Sequence, residues 1–411
     1  MYYVEGETMS DTRITRRHAL GVMGTAALAL YGCGSTGGDD DGGEGGAEGP
    51  VKVGLLVPLA GVYASLGEDM RAGWELWLAE NGSKLGGREV ETVVADEGDG
   101  PDTAIPALQK LLQRDKVDAV VGIVSSAVAL GAQDLVNRSK KLLIIANAGA
   151  NAITAEGTSN YIWRTSFTNS QVAFAMGQHL AKSGDAKRVY TIAPDYAAGA
   201  ESVAGFVQAY SEGGGKRAGN AKPPFQTTSD YAPYLSRIRR SNADGTYCFF
   251  AGSEAVAFVK QYGQFGLSDR IPLFGAGFLT EGGVLAAQGD AAEGVQTALH
   301  YAASLENEAN TAFAEAYQSK TNRPPTVYAM QTWDAAEVLS RAVEQAGDDL
   351  SGDALAGALE KTGAIDNSPR GPWTFEQRSP KQTMYLREVS GGENKVQEEI
   401  GMFAPITETS S

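Results

Sequence analysis

From Pro50 onward the chain alternates short apolar runs with amphipathic stretches, and this rhythm constrains its fold more than any other feature. "VKVGLLVPLA" is an apolar run closed by turn residues, followed by "SLGEDMRAGWELWLAENGSK" with apolar residues at helical spacing. "REVETVVADEGD", "VDAVVGIV" and "KLLIIANAG" read as strands, and "PDTAIPALQKLLQRDK" and "AVALGAQDLVNRS" as the helices between them. The pattern resumes with "RVYTIAPD", "AAGAESVAGFVQAYSEGGG", "YAPYLSRIRRSN", "GTYCFFAG", "EAVAFVKQYGQFG" and "IPLFGAG". Runs that are apolar on both faces and separated by helices imply parallel sheets covered on both sides, with right-handed crossovers. After "EGVQTALHY" come two long helical stretches, "NEANTAFAEAYQSKTN" and "VYAMQTWDAAEVLSRAVEQAG", and then strand-like "RGPWTFEQ" and "TMYLREVS". A β-rich end after a second α/β block predicts a chain that passes between two lobes more than once.

The segment before Pro50 is of another kind. "TRITRRHALGVMGTAALALYG" has a basic stretch and a short apolar run ending at Gly32 and Cys33, the layout of an export signal. Arg16 and Arg17 resemble a twin-arginine signal, and Leu30 to Cys33 resemble a lipobox in which Cys33 takes a diacylglyceryl group, although Tyr31 stands where that motif carries a small residue. The apolar run is shorter than the roughly 20 residues a membrane span needs. Cleaved secretion and an uncleaved anchor are the alternatives to lipidation. Met9 suits the start of an n-region better than "MYYVEGET" does. Beyond Cys33, "GSTGGDDDGGEGGAEG" cannot build a core and reads as an acidic, flexible tether. Gly32 to Gly37 formally spell GxGxxG, but without a strand before and a helix after, the dinucleotide reading fails.

About 360 residues remain after the tether, enough for two domains. The net charge of −16 argues against a nucleic-acid partner, because phosphate binding needs a basic face. With only two cysteines, lipidation of Cys33 leaves Cys248 alone, and its place in a strand-like run marks it as a small buried hydrophobe. His18, His179 and His300 have no metal-ligand spacing. No phosphate loop, nucleophile elbow, HExxH or Cys/His pair occurs, so neither catalysis nor a metal or cofactor is expected. A lone His300 reads as a packing residue.

The candidate site residues lie instead where strands end and helices begin, the place where open parallel sheets bind ligands. In "VVGIVSSAVALG" a strand ends near Val124, and Ser125 and Ser126 open a helix; they suit a carboxylate, or serve as a plain N-cap. Asn147 and Gly149 in "IANAGAN" and Tyr196 in "APDYAAG" occupy equivalent positions.

"KVGLLVPLAGVYASLG", "DAVVGIVSSAVALGAQDLV", "WRTSFTNSQ", "DYAAGAE", "KQYGQFGL" and "GDAAEGV", in this order and spacing, resemble the leucine/isoleucine/valine-binding receptors of ABC transporters. The resemblance runs from Val51 to about Phe403. It implies the type I periplasmic binding fold: two doubly wound, Rossmann-like α/β lobes joined by three crossings that close around solute by hinge bending. The implied organisation is a signal over 1–32, a tether over 33–50, lobe 1 over 51–168 and 299–372, lobe 2 over 169–298 and 373–403, and a tail over 404–411. It further implies a monomer that hands a small solute to a permease and its ATPase, exported and held at the outer face of the membrane only through the lipid on Cys33.

In that family an amino acid's carboxylate is held by residues matching Ser126 and the "ANAGAN" turn, and its ammonium by an acid of the second lobe. Ser125 and Ser126 match. The next hydroxyl falls on Ala150, and the acid falls near Gly277, which has no side chain. Burying an ammonium without a counter-charge costs several kcal/mol, unless Glu254 or Glu281 supplies one from a shifted position. The surviving polarity suits an aromatic carboxylate, with Tyr63, Leu66, Tyr196, Gly277, Phe278 and Tyr301 expected at the cleft and Tyr328 divided between core and pocket. "VYTIAPDYAAGAESVAGF" and "ALHYAASLENEAN" look like the branch of the family that takes such acids. Arg164 reads as structural. The alternatives are a sensor of amides or amino acids on the same fold that signals to a partner, and an aromatic-ester hydrolase, which the lack of a nucleophile–base pair disfavours.

Overall fold

The computed structural model describes residues 49–407; the signal, the lipid attachment at Cys33 and the tether before residue 49 lie outside the described residues. The chain runs β1 (Val51–Val57), α1 (Ala64–Glu80), β2 (Lys84–Leu85), β3 (Arg88–Asp96), α2 (Pro101–Gln113), β4 (Ala119–Gly122), α3 (Ser126–Ser139), β5 (Leu142–Ile145) and β6 (Ile162–Arg164). These strands form one sheet in the order β2-β3-β1-β4-β5-β6, parallel except for the short β2. Period-two alternation explains why its strands are apolar throughout. Val51, Val53, Leu55 and Val57 of β1 join Met70 and Trp74 of α1 on one face, whereas Leu56 joins Leu108 of α2 and Val128 of α3 on the other.

The chain then enters a second sheet through α4 (Asn169–Ser183), β7 (Arg188–Ile192), α5 (Ala197–Glu212), β8 (Lys216–Ala221), α6 (Ala232–Arg240), β9 (Gly245–Cys248), α7 (Gly252–Gln264), β10 (Leu273–Ala276), α8 (Gly283–Gln288) and β11 (Gln296–Leu299). It returns to the first lobe for α9 (Glu308–Thr321), α10 (Val327–Ala346), which packs along α1, and α11 (Gly352–Leu359), which packs on β5. It crosses again to end in β12 (Thr374–Glu376), β13 (Ser379–Ser390) and β14 (Glu393–Phe403). The second sheet runs β12-β13-β11-β10-β9-β7-β8, with β14 paired to β13. Strands β7 to β11 are parallel, and β13 closes the sheet antiparallel to β11. The parallel sheets are those the alternation implies, and the doubly wound two-lobe architecture with three crossings is the one the resemblance implies.

Some elements differ from the sequence reading. β4 stops at Gly122 rather than near Val124, because Ile123 turns into the left-handed region (φ 70°). β8 (KRAGNA) and β14 (ENKVQEEIGMF) carry too many polar residues to read as strands; each pairs along one edge only and leaves one face to water. Cys248 is fully buried in β9, as its apolar neighbours predict.

The crossings are tied by a buried guanidinium. Arg370, 2% exposed, donates through Nε to Asp334 Oδ2 of α10 (2.8 Å) and through its two terminal nitrogens to the carbonyls of Ser166 and Thr165 on the first crossing. It also donates to Gln382 of β13, and its own carbonyl accepts from Tyr385. Ser368 Oγ adds a second bond to Asp334 Oδ2 (2.8 Å). One side chain thus touches the outgoing crossing, a first-lobe helix and a second-lobe strand. Removing one member of a buried pair leaves the other charge uncompensated and costs about 3–5 kcal/mol. Asp334→Ala is therefore expected to lower the denaturation free energy by about that amount, read from the urea midpoint. A loss below about 1 kcal/mol, the range of a surface pair, would contradict it.

Candidate functional site

Between the lobes lies a cavity of about 270 Å³ whose wall is made mostly of residues that follow strand ends. The segment after β1 brings Tyr63 and Leu66, that after β3 Asp99, that after β4 Val124 to Ala127, and that after β5 Asn147 and Gly149. Phe167 and Asn169 come from the first crossing. The second lobe supplies Tyr196 after β7, Phe225 and Gln226 after β8, Phe249 after β9 and Phe278 after β10, and Tyr328 comes from the start of α10. Parallel strands all point their carboxyl ends the same way, so the loops converge there. The lobes touch at the rim, where the Val62 carbonyl lies 2.9 Å from the place a Cβ on Gly252 would take.

The first-lobe wall is polar. Ser125 occupies the N-cap of α3 but its side chain makes no capping bond, so the hydroxyl is not engaged as a plain cap. Ser126 Oγ accepts from the Ala150 amide at 3.1 Å, which leaves its own proton to donate. The first-turn amides of α3 point the same way, with the positive end of the helix. Gly149 is small of necessity, since a Cβ there would lie 2.3 Å from the Phe167 ring and 2.4 Å from Asn169 Oδ1. Asn147 Nδ2 bonds Gln331 Oε1 at 3.0 Å.

The second-lobe wall is aromatic. Tyr196 stacks on Phe225 with centroids 4.0 Å apart, Phe249 meets Phe278 edge-on at 6.5 Å, and Phe278 lies 4.5 Å from Phe167. Flat rings so disposed present faces and edges suited to another flat ring. Burial, with the negative charge of Glu254, pushes the Tyr63 and Tyr196 phenols up from their ordinary range, so both stay protonated; Tyr63 raises Tyr196 further, while the hydrogen bond between them draws Tyr63 back.

Eight of the ten expected residues thus line the cavity: Tyr63, Leu66, Ser125, Ser126, Asn147, Gly149, Tyr196 and Phe278. Gly277 and Tyr301 do not. Gly277 is one residue too early on the turn after β10, and its carbonyl accepts from Arg387 Nη2 (2.9 Å). A Cβ at that position would strike Leu299 and that guanidinium. Tyr301 is fully buried and donates to Asn310 Oδ1 (2.9 Å). The two acids considered as counter-charges are spoken for as well. Glu281 pairs with Arg387 (2.8 Å) and accepts from the Val327 amide, and Glu254 accepts from the Gln226 amide. Arg164 donates to the carbonyls of Phe167 and Ala150 and to Thr154, a structural role. Among the described residues no group of three or more His, Cys, Asp or Glu could hold a metal ion.

Sequence reasoning missed Asp99, Phe167, Asn169, Phe225, Phe249 and, behind the wall, Glu97. The strand-end rule applied to every strand would have found Asp99 and Phe249. Phe225 follows β8, which did not read as a strand. Glu97 is fully buried beneath the α3 turn, where its two carboxyl oxygens accept from the amides of Val124 (2.8 Å) and Ser125 (2.7 Å). Burial outweighs those bonds and pushes its pKa up to about 8.

A family model described as periplasmic binding protein matches residues 50–394. Among curated relatives, a Leu/Ile/Val-binding protein homologue from Brucella melitensis is 30% identical over 348 residues, covering 83% of this chain and 87% of its own. Among solved structures, a solute-binding protein of an ABC transporter from Rhodopseudomonas palustris, in complex with benzoate, is 36% identical with a TM-score of 0.81, covering 87% of this chain and 98% of that one. A second, from Rhodopseudomonas palustris BisB5 in complex with 3,4-dihydroxybenzoic acid, is 32% identical with a TM-score of 0.80 over the same shares. A leucine-binding protein from Thermotoga maritima, at 22% identity and TM-score 0.77 over 85% of this chain and 99% of its own, shares the fold.

The Glu97 environment has a pH signature. A carboxyl whose pKa rises from 4.5 in the unfolded chain to about 8 in the fold binds more protons when native, so it costs nothing below 4.5 and destabilises increasingly as pH climbs to about 8. The melting temperature of Glu97→Gln is expected to fall less than that of the unaltered protein between those two pH values. Parallel profiles would show that Glu97 is already ionised in the fold.

Proposed function

Because the chain belongs to the periplasmic binding protein family, we propose that it is the solute receptor of an ABC importer and that its solute is a small aromatic carboxylate. The observation that carries this reading is the division of the cavity wall. One side offers the Ser126 hydroxyl and the first turn of α3, and the other offers the Tyr196, Phe225, Phe249 and Phe278 rings. An anion with a flat apolar body satisfies both. An α-amino acid would need an acid near its ammonium, and of the cavity-lining residues only Asp99 is acidic; its Oδ1 already accepts from the Val62 amide (3.1 Å). The benzoate and dihydroxybenzoate carried by the relatives at 36% and 32% identity support the same class.

In this reading the lobes swing about the three crossings, open to admit solute and close to bury it. The export signal and a diacylglyceryl group on Cys33 keep the receptor at the outer face of the membrane, and the tether leaves it free to meet its permease. Among the described residues no helix is long and apolar enough to cross a membrane. Two acyl chains anchor far more firmly than one.

A ligand at 100 times its dissociation constant adds about 2.7 kcal/mol of stability, a rise of several degrees in melting temperature. Benzoate and hydroxybenzoates are expected to produce that rise and leucine is not; stabilisation by leucine alone would make Asp99 the ammonium partner and overturn the aromatic reading. Ser126→Ala removes one charge-assisted bond and is expected to weaken benzoate about 10- to 100-fold in calorimetry. Cys33→Ala is expected to shift the exported protein from the membrane fraction to the soluble one; an unchanged distribution would exclude the lipid anchor.

A further inference from the structure

Behind the polar wall three side chains form a chain of bonds that reaches the cavity from the core. His300, directly after β11, is fully buried with its ring stacked on Phe167. Its Nε2 lies 2.9 Å from the Gln331 side-chain amide, and that amide lies 3.0 Å from the amide of Asn147. The second amide atom of Asn147 bonds no other side chain or backbone group among the described residues, and Asn147 lines the cavity. His300 Nδ1 is buried with no partner.

The oxygen and nitrogen of an amide exchange places by a half-turn, so these positions fit two polarities. In one, the arrangement given above, Asn147 Nδ2 donates to Gln331 Oε1, Gln331 Nε2 donates to His300 Nε2, the ring proton sits on Nδ1, and Asn147 turns its oxygen to the cavity. In the other, His300 Nε2–H donates to Gln331 Oε1, Gln331 Nε2 donates to Asn147 Oδ1, and Asn147 turns its N–H groups to the cavity. The first strands a buried N–H with no acceptor, whereas the second leaves only a lone pair unmatched. An orphaned buried donor is the rarer and costlier defect. Burial, reinforced by the positive charges of Arg370 and Arg387, holds the ring neutral, so one nitrogen only carries a proton.

We infer that His300, acting through Gln331, holds the Asn147 amide with its N–H toward the cavity and so makes the site select a carboxylate over the matching carboxamide. This rests on the reading of the cavity as an aromatic-acid site. His300 is a positioning residue: it touches Gln331 and Phe167, not the cavity, and it works by choosing which end of a remote amide the ligand meets. A carboxylate can only accept at that point, so an Asn147 turned the other way would repel it while still accepting from a carboxamide's N–H.

Two measurements on the full chain test this. In the ligand-free, ¹⁵N-histidine-labelled protein, long-range ¹H–¹⁵N correlation is expected to show His300, assigned by comparison with His18→Gln and His179→Gln, as the neutral tautomer protonated at Nε2; protonation at Nδ1 overturns the inference. In Gln331→Met, which cuts the relay without adding charge, the ratio of benzoate to benzamide affinity is expected to fall about 10-fold, the worth of a charge-assisted bond, with benzamide little changed. Equal weakening of both ligands, or an unchanged ratio, would mark Gln331 as a packing residue and defeat the specificity claim. If the unaltered protein binds neither compound, the aromatic-acid reading fails and takes the specificity claim with it, while the tautomer still decides the polarity of the relay.

Discussion

The arrangement of this molecule depends on a single buried ion pair at the place where its chain crosses between lobes. Arg370 and Asp334 are each about 1% exposed in their side chains and meet at 2.7 Å. Such a pair gains little over an apolar contact of equal volume, because two desolvation costs oppose one attraction. Its worth is positional. A guanidinium is a planar fork of five donors, and here the fork reaches α10, both carbonyls of the first crossing and β13 at once. Arg370 stands on the last crossing, so its bonds to Thr165 and Ser166 join that crossing to the first.

A second buried guanidinium gathers its partners in the same way. Arg387 of β13 bonds Glu281, the Tyr301 and Gly277 carbonyls and Thr297, and Glu281 in turn accepts from the first amide of α10. This network engages Glu281, one of the two acids considered as a counter-charge for an ammonium. Glu281 is held by Arg387 at 2.8 Å, and a Cβ on Gly277 would lie 2.5 Å from Leu299 and 2.6 Å from that guanidinium.

Much of the architecture was legible before any coordinates. Parallel strands buried on both faces must be continuously apolar, and β1, β4, β5, β7, β9 and β10 all announce themselves in this way. The site was legible to the extent that it follows from strand ends: Ser125, Ser126, Asn147, Gly149 and Tyr196 were placed by that rule, and the resemblance added Tyr63, Leu66 and Phe278. Edge elements were not, since β8 and β14 satisfy only one side of their backbone and need no apolar signature. Phe225 was lost with β8. Tyr301 was misplaced because an aromatic residue after a strand can turn to the core as readily as to the cleft, and only its bond to Asn310 decides between them.

The amino-acid order by itself determined the two-lobe α/β plan, because hydrophobic period and helix spacing are local properties that survive without tertiary context. It also determined the chemistry available at the strand ends: hydroxyls and amides on one side, rings on the other, and no nucleophile paired with a base. The tertiary structure decided which of those groups reach the cavity, because burial and partnership depend on residues hundreds of positions apart. Asn147 meets Gln331 across 184 positions, and Arg370 meets Thr165 across 205. Only the fold shows that His300, isolated in the sequence, ends a chain of side-chain bonds that reaches Asn147 at the cavity, and that Glu97 lies buried beneath the turn of α3.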